Sequence, residues 1–312
     1  MQVFHSFQEI KDCDGAIVAL GTFDGVHLGH QKVMRTAMEK AAVHKVKSIV
    51  VTFESHPLSV LCPDKEPPRL ATVEQKEQYI ADVGIDALVL LPVTKHLLDE
   101  SPEEFCQQIL DYIHPLGIVV GSNFTYGKKA AGNTASLTAF MGAYGVDVNV
   151  LHLLERPGRA VPISSTVIRR LVLMGHMETT AALLGRPFEV TGKVVVGDRR
   201  GHLIGFPTAN MLIPTDMALP PDGVYITELG WDGTFHQAMT NIGANPTFAN
   251  QYRRIETHIL SFQGNIYDKK VVLRFLKRLR PEMQFDSTED LVREMKSDES
   301  KTINYFQSLG LK

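Results

Sequence analysis

Gly21-Thr-Phe-Asp-Gly-Val-His-Leu-Gly-His30 joins an apolar run, Ala16–Leu20, to a long helix-period segment, Leu28–His44. Glycine lets a backbone turn tightly and approach a ligand closely. The start of a helix offers unpaired N–H groups and a positive dipole end, which together favour an anion. His27 and His30 are three residues apart, so at a helix start they share a face. Two imidazoles aimed at one spot can donate hydrogen bonds to the oxygens of an α-phosphate. Charge builds there during in-line displacement, so donors at that place stabilise the transition state preferentially. Such chemistry needs no covalent nucleophile. A helix start that carries two histidines without a role explains the same residues. Metal ligation fits less well, for want of a completed ligand set.

Working outward, short apolar runs alternate with helix-period segments over the first 185 residues. Strands are expected at Ala16–Leu20, Ser48–Phe53, Ala87–Leu91, Ile118–Val120 and Val146–Leu151. Helices are expected at Leu28–His44, Val73–Val83, Pro102–Ile113, Ala135–Tyr144, Thr166–Met174 and Met177–Leu184. Consecutive Val, Ile and Leu indicate strands covered on both faces, and the alternation indicates βα units with a parallel sheet. Ser101 before Pro102 reads as an N-cap followed by proline at the first helical position. Near Gly185-Arg186-Pro187 the pattern changes to closely spaced β-type runs, Phe188–Val196, Val224–Leu229, Thr234–Thr240, Ile255–Phe262 and Val271–Leu276. They suggest an antiparallel barrel or sandwich. Helix returns at Ser287–Met295 and Ile303–Leu309. The division expected is 1–185 and 186–312.

The 312 residues fit two ordinary domains, with 44% hydrophobic and 21% charged residues and a net charge of −3. No basic tail points to nucleic acid, and no apolar run approaches the roughly 20 residues that span a bilayer. Neither a nucleic-acid nor a membrane partner is expected. Cys13, Cys62 and Cys106 are sparse and form no CxxC, which reads as thiols in a reducing compartment. The N-terminus lacks the marks of a signal peptide, so a cytoplasmic location is expected.

Three further segments carry candidate chemistry. Gly121-Ser-Asn-Phe-Thr-Tyr-Gly127, with Gly132 beyond it, follows a strand; alone it is an ordinary βα turn. Ile163-Ser-Ser-Thr-Val-Ile-Arg169 opens a helix, where hydroxyls and N–H groups suit a triphosphate and Arg169 can neutralise its charge. By itself, Ser-Ser-Thr is more often just an N-cap. Arg156 and Arg159 suit a flap or a solvated loop. Gly205-Phe-Pro-Thr-Ala-Asn210 follows Gly197-Asp-Arg-Arg-Gly201, glycines and basic residues fit to wrap phosphates. In extended backbone Thr208 and Asn210 point the same way, and their hydroxyl and carboxamide are hard oxygen ligands suited to Mg2+. Glu256 and His258 alternate with Ile255 and Ile259, as a solvent-facing stripe also would.

These motifs together resemble the bacterial bifunctional riboflavin kinase/FMN adenylyltransferase family, also called FAD synthetase. GTFDGVHLGH is similar to its nucleotidylyltransferase motif, GFPTAN to its kinase signature, and Ile255-Glu-Thr-His-Ile-Leu260 to its catalytic strand. Gly223-Val-Tyr225, Asn241-Ile-Gly-Ala-Asn-Pro-Thr-Phe248 and Leu279–Phe285 follow in the family's order. The resemblance implies a Rossmann-like α/β nucleotidylyltransferase domain, then a six-stranded antiparallel β-barrel kinase domain with C-terminal helices. It implies phosphorylation of riboflavin to FMN by ATP and adenylylation of FMN to FAD with release of pyrophosphate. Mg2+ is the implied cofactor, ATP the co-substrate, and riboflavin, FMN and FAD the other ligands; the oligomeric state is left open. His27 and His30 are implied as catalytic, and Gly21, Gly25, Asn123, Ser165, Thr166 and Arg169 as ATP- and phosphate-binding. Gly201, Gly205 and Pro207 would bind the kinase nucleotide, Thr208 and Asn210 the metal, and Glu256 would act as general base. The chain departs from the family pattern at Ser55, Asn123, His202, Ile204 and Ser261. His56 reads as a core or turn histidine. Other readings are that only the adenylyltransferase half is active, or that the chain is a non-catalytic flavin-binding regulator.

Overall fold

The computed structural model describes residues 1–11, 13, 15–155, 162–197, 201, 204–244 and 253–310. Its contacts form two units, Met1–Ser165 and Thr166–Lys312. The change of sequence pattern near Gly185 coincides with the first barrel strand, while the two helices before it group with the barrel.

The first unit contains β1 (Gln2–Phe4), β2 (Ala16–Leu20), α1 (Leu28–His44), β3 (Lys47–Phe53), α2 (Leu58–Leu61), α3 (Val73–Val83), β4 (Ala87–Leu91), α4 (Lys95–Asp99), α5 (Pro102–Ile113), β5 (Pro115–Gly121), β6 (Thr125–Tyr126), β7 (Gly132–Asn133), α6 (Thr134–Ala143) and β8 (Asp147–Leu151). Six of the strands form one sheet in the order β1-β4-β3-β2-β5-β8, with every pairing parallel. All of β2 and β4 is buried. The period of two sends Ile17 and Ala19 to a core shared with Val33 and Met34 of α1 and Ile80 of α3. Ala16, Val18 and Leu20 go to the other face, with Ile109 and Ile113 of α5 and Leu137 of α6. Each fully buried Ile, Val or Leu contributes about 1.5–3 kcal/mol.

The helix ends follow from local chemistry. Ser101 caps α5 by accepting the Glu104 amide at 3.1 Å, and Glu104 returns a carboxylate to the Ser101 amide at 2.7 Å. Thr72 and Gln75 form the same reciprocal cap on α3.

The second unit holds α7 (Ser165–Leu173), α8 (Met177–Leu184), β9 (Phe188–Val195), β10 (Ala209–Leu212), β11 (Gly223–Trp231), β12 (Thr234–Ala244), β13 (Arg253–Ile259), β14 (Lys270–Pro281) and a C-terminal helix, Thr288–Ser308. The strands close into a six-stranded barrel, β10-β13-β12-β11-β14-β9, antiparallel throughout. Inside it, the buried hydroxyls of Thr227, Thr240 and Thr257 satisfy one another in a row at 2.8 and 2.9 Å.

Beyond the short elements α2, α4, β6 and β7, three differences from the sequence expectation bear on the sheet, the barrel and the tail. β1 is only three residues long and joins the sheet through β4, so it has no periodicity to read. β10 is not among the expected strands, although Thr208 and Asn210 are read in extended backbone. The tail forms one helix rather than two. Its polar stretch 296–300 contains Asp298, only 1% exposed, whose carboxylate takes hydrogen bonds from Arg280 of β14 at 2.8 and 2.9 Å. Asp298, Thr302 and Phe306 are buried four residues apart, one continuous stripe that crosses the apparent break.

Candidate functional site

In the first unit, β3 and β4 follow β2 to one side, whereas β5 pairs with β2 on the other. The chain order therefore reverses between β2 and β5. The loops leaving the carboxyl ends of these two parallel strands flank that switch point, where open α/β sheets form a ligand crevice. Residues 21–27 supply one loop, and Gly121 with exposed Asn123 begins the other.

His27 is the N-cap of α1, and its Nδ1 accepts the His30 amide at 3.2 Å. A neutral imidazole with an accepting Nδ1 carries its proton on Nε2. His27 is therefore set up to donate from that nitrogen. Its ring stacks on the His30 ring, with centroids 3.5 Å apart and planes 19° from parallel. His27 is buried and His30 half-buried, with the edge of Phe23 against it at 5.2 Å. Nδ1 of His30 is enclosed and has no hydrogen-bond partner among the described residues. Such an atom is the expected mark of a site that a polar ligand completes.

Burial, then the positive charges of His27 and Lys76, hold His30 well below the ordinary histidine range. His30 thus presents a neutral ring at neutral pH. Lys76 of α3 is itself only 5% exposed and donates to the Phe53 carbonyl at 2.8 Å. Burial lowers its ammonium to about 8, against the opposing pull of Asp24. Sequence reasoning passes over Lys76, because a lysine on an amphipathic helix carries no local sign that it points inward.

The loop before α1 is held in a costly backbone. Phe23, Gly25 and Val26 have φ of +47°, +72° and +39°. A β-branched residue rarely adopts that region, and such strain persists only where the surroundings enforce it. A Cβ on Gly25 would lie 2.9 Å from the Leu70 side chain. The enforcing bonds come from three directions. Leu70 N donates to Asp24 Oδ1 at 3.1 Å, Thr52 Oγ1 to the Thr22 carbonyl at 3.0 Å, and Ser165 Oγ to the Asp24 carbonyl at 3.0 Å. Gly21 closes the end of β2 by donating to the Val51 carbonyl. Ser165 therefore braces this loop with its hydroxyl. Thr166 and Arg169 follow in α7. His56 is a turn histidine, its Nδ1 accepting the Leu58 amide at 3.1 Å.

In the barrel, Asn210 of β10 and Glu256 of β13 are direct cross-strand partners. Asn241 of β12 is the partner of Glu256 on its other side. Directly opposed residues share a face, so the three stand in one row on the outside of the barrel. Ile255, Thr257 and Ile259 alternate inward and are buried. Asn241 stands in a segment singled out by sequence, but only the register reveals its alignment with Glu256. Any side chain at Gly197 would collide with the Asn210 carboxamide. The carboxylate of Glu256 is also paired with Arg254 at 3.2 Å.

Thr208 immediately precedes β10, on the loop that begins at Gly201. The Gly201 carbonyl accepts the amides of Phe206 at 2.8 Å and Ile204 at 3.3 Å, a tight wrap with Gly205 at φ +84°. Pro207 is exposed. A threonine hydroxyl and an asparagine carbonyl beside a carboxylate make a hard-oxygen set that fits Mg2+. Among the described residues no three His, Cys, Asp or Glu side chains form a metal cluster, so softer metals have no comparable set. Arg156, Arg159, His202 and the end of the Asn241–Phe248 segment lie outside the described residues.

The FAD synthetase family model matches residues 9–167 and the riboflavin kinase model residues 184–306. The chain is 35% identical to the bifunctional riboflavin kinase/FMN adenylyltransferase of Listeria monocytogenes, over 94% of this chain and 93% of that one. It is 34% identical to the protein of the same description in Bacillus subtilis, over 99% and 98%. A solved structure from Streptococcus pneumoniae, described as a macrolide-efflux protein, superposes with a TM-score of 0.88 at 30% identity, over 97% and 98%. Among the described residues of this chain no helix is long and apolar enough to cross a membrane.

Proposed function

This chain belongs to the bifunctional riboflavin kinase/FMN adenylyltransferase family, and on that premise we propose that it phosphorylates riboflavin to FMN with ATP and adenylylates FMN to FAD with release of pyrophosphate. Residues 1–185 are assigned the adenylyl transfer and residues 186–312 the kinase reaction. The observation that carries the kinase half is the register pairing of Asn210 with Glu256. It supports the reading by setting a carboxylate across from Asn210, one of the two proposed metal ligands.

In the kinase reaction the ribityl 5′-hydroxyl oxygen bonds to the γ-phosphorus of ATP while the bond to ADP breaks. Glu256 accepts the hydroxyl proton. Thr208 and Asn210 would hold Mg2+, and Gly201, Gly205 and Pro207 would shape the nucleotide loop. When bound, the ion supplies neutralisation of phosphate charge.

In the adenylyl transfer a phosphate oxygen of FMN bonds to the α-phosphorus of ATP and pyrophosphate leaves. No protein nucleophile takes part. His27 donates from Nε2, and the neutral His30 ring, in the tautomer protonated at Nδ1, donates from that nitrogen toward the charge that develops on the phosphate oxygens. Gly21 and Gly25 allow the backbone to approach. Asn123, Ser165, Thr166 and Arg169 are the remaining proposed ATP contacts, Ser165 also bracing the loop through Asp24. A cytoplasmic location belongs to the same reading, supported by three sparse cysteines outside any disulfide.

Product analysis tests the proposal. Riboflavin with ATP and Mg2+ should yield FMN and then FAD, and FMN with ATP should yield FAD and pyrophosphate. A chain that binds flavin yet forms neither product overturns it.

A further inference from the structure

His258 stands two residues beyond Glu256 on β13, is 8% exposed, and takes no part in the reactions above. Its Nδ1 lies 2.9 Å from the carbonyl oxygen of Pro207. That oxygen can only accept, so Nδ1 carries the proton and donates. Its Nε2 faces Glu299 of the C-terminal helix at 3.7 Å. The ring also meets Phe206 edge-on, with centroids 5.2 Å apart. With one nitrogen committed to a carbonyl and the other facing a carboxylate, this buried imidazole is poorly placed to exchange protons with a substrate.

What it can do is hold a peptide plane. The Pro207 carbonyl belongs to the peptide that ends at the Thr208 nitrogen, so fixing that oxygen fixes the orientation in which Thr208 leaves the loop. The bond also ties the segment just before β10 to the strand that carries Glu256. We propose that His258 is a positioning residue of the kinase site, which sets Thr208 against the Asn210–Glu256 pair through the Pro207 carbonyl, with Glu299 and Phe206 holding the ring in place. The inference rests on the reading of Thr208 as a metal and phosphate ligand. It adds that the C-terminal helix, by way of Glu299, is part of what shapes the nucleotide loop.

The test uses the full chain and measures FMN formation as a function of ATP and of Mg2+. Trp231, the chain's one tryptophan, lies on β11 of the barrel and reports its integrity by fluorescence. His258→Leu should raise KM for ATP and the Mg2+ concentration for half-maximal rate about tenfold, the effect of stranding one buried acceptor. Trp231 emission should be unchanged. His258→Asn, whose amide N–H reaches the place of Nδ1, should bring both values back to within about twofold of the parent. Unchanged values in His258→Leu overturn the proposal, as does equal impairment in His258→Asn. If His258→Leu loses the barrel, His258→Gln replaces it; its amide reaches the place of Nε2, so it should remain impaired where His258→Asn is not. Equal values for those two also overturn the proposal. Thr208→Ala separates the two ideas. Unchanged values there remove the premise, whereas raised values there beside an unaffected His258→Leu remove the positioning role alone.

Discussion

Asn210 and Glu256 face each other across the β10–β13 ladder, with Asn241 continuing the row on β12. Two segments 46 positions apart in sequence thus deliver an amide and a carboxylate to the same patch of barrel surface. The register that does this is enforced by the opposite face. A slip of one residue would turn Ile255, Thr257 and Ile259 outward and Glu256 inward.

Replacing Glu256 by Gln keeps the shape and removes the base. FMN formation should fall by roughly 10²–10⁴, the usual worth of a positioned base, while FAD formation from added FMN continues at the parent rate. Separate assays with riboflavin and with FMN measure this directly. An unaffected kinase rate would remove Glu256 from its role.

His27→Ala should do the reverse. It deletes the Nε2 donor and the cap that accepts the His30 amide. Adenylyl transfer should drop by about 10²–10³, as for the loss of one preorganised donor, and the kinase rate should stay at the parent value. Full FAD formation would show that the stacked imidazoles are structural only.

The enclosure of the His30 ring nitrogen predicts an acid sensitivity of the first unit. Its folded pKa is lowered, by burial first, so below the ordinary value of 6.5 the unfolded chain binds a proton that the folded chain refuses. This contribution destabilises the fold progressively as pH drops from about 6.5 toward the lowered value. Hydrogen exchange of α1 amides between pH 7 and 5 should show protection falling, and His30→Gln should flatten the slope. An equal slope in the variant would mean that other groups govern it.

Breaking the Arg280–Asp298 pair tests the unbroken C-terminal helix. Asp298→Ala leaves a guanidinium with its main buried partner gone and should cost about 3 kcal/mol. Thermal unfolding followed by Trp231 fluorescence measures the loss. A shift near zero would mean that the helix is held by Thr302 and Phe306 alone.

Much of this molecule could be read locally. β2, β4, α1, α3, α5 and α8 occur at the boundaries that apolar periodicity, capping residues and glycine imply, because those signals act within a few residues. The motif at 21–30 was legible for the same reason, since a strand, a glycine turn and a helix start are neighbours in sequence. β1 and β10 were not. Each is a short strand whose existence depends on a ladder partner, β4 in one case and β9 and β13 in the other. The two-helix reading of the tail failed at Asp298, where a charged residue is inside because Arg280 meets it.

The amino-acid sequence alone determined which residue types are present and the local turns that display them: imidazoles at a helix start, a hydroxyl and an amide two positions apart, a carboxylate on an alternating strand. Only the tertiary structure decided that the two imidazoles stack with one nitrogen unpartnered, that Lys76 is buried near them, and that Glu256 lies opposite Asn210 with His258 bonded to the Pro207 carbonyl. Periodicity assigns a side chain to a face within one element. The pairing of faces, and the protonation that pairing imposes, depends on which distant segments close the sheet and the barrel.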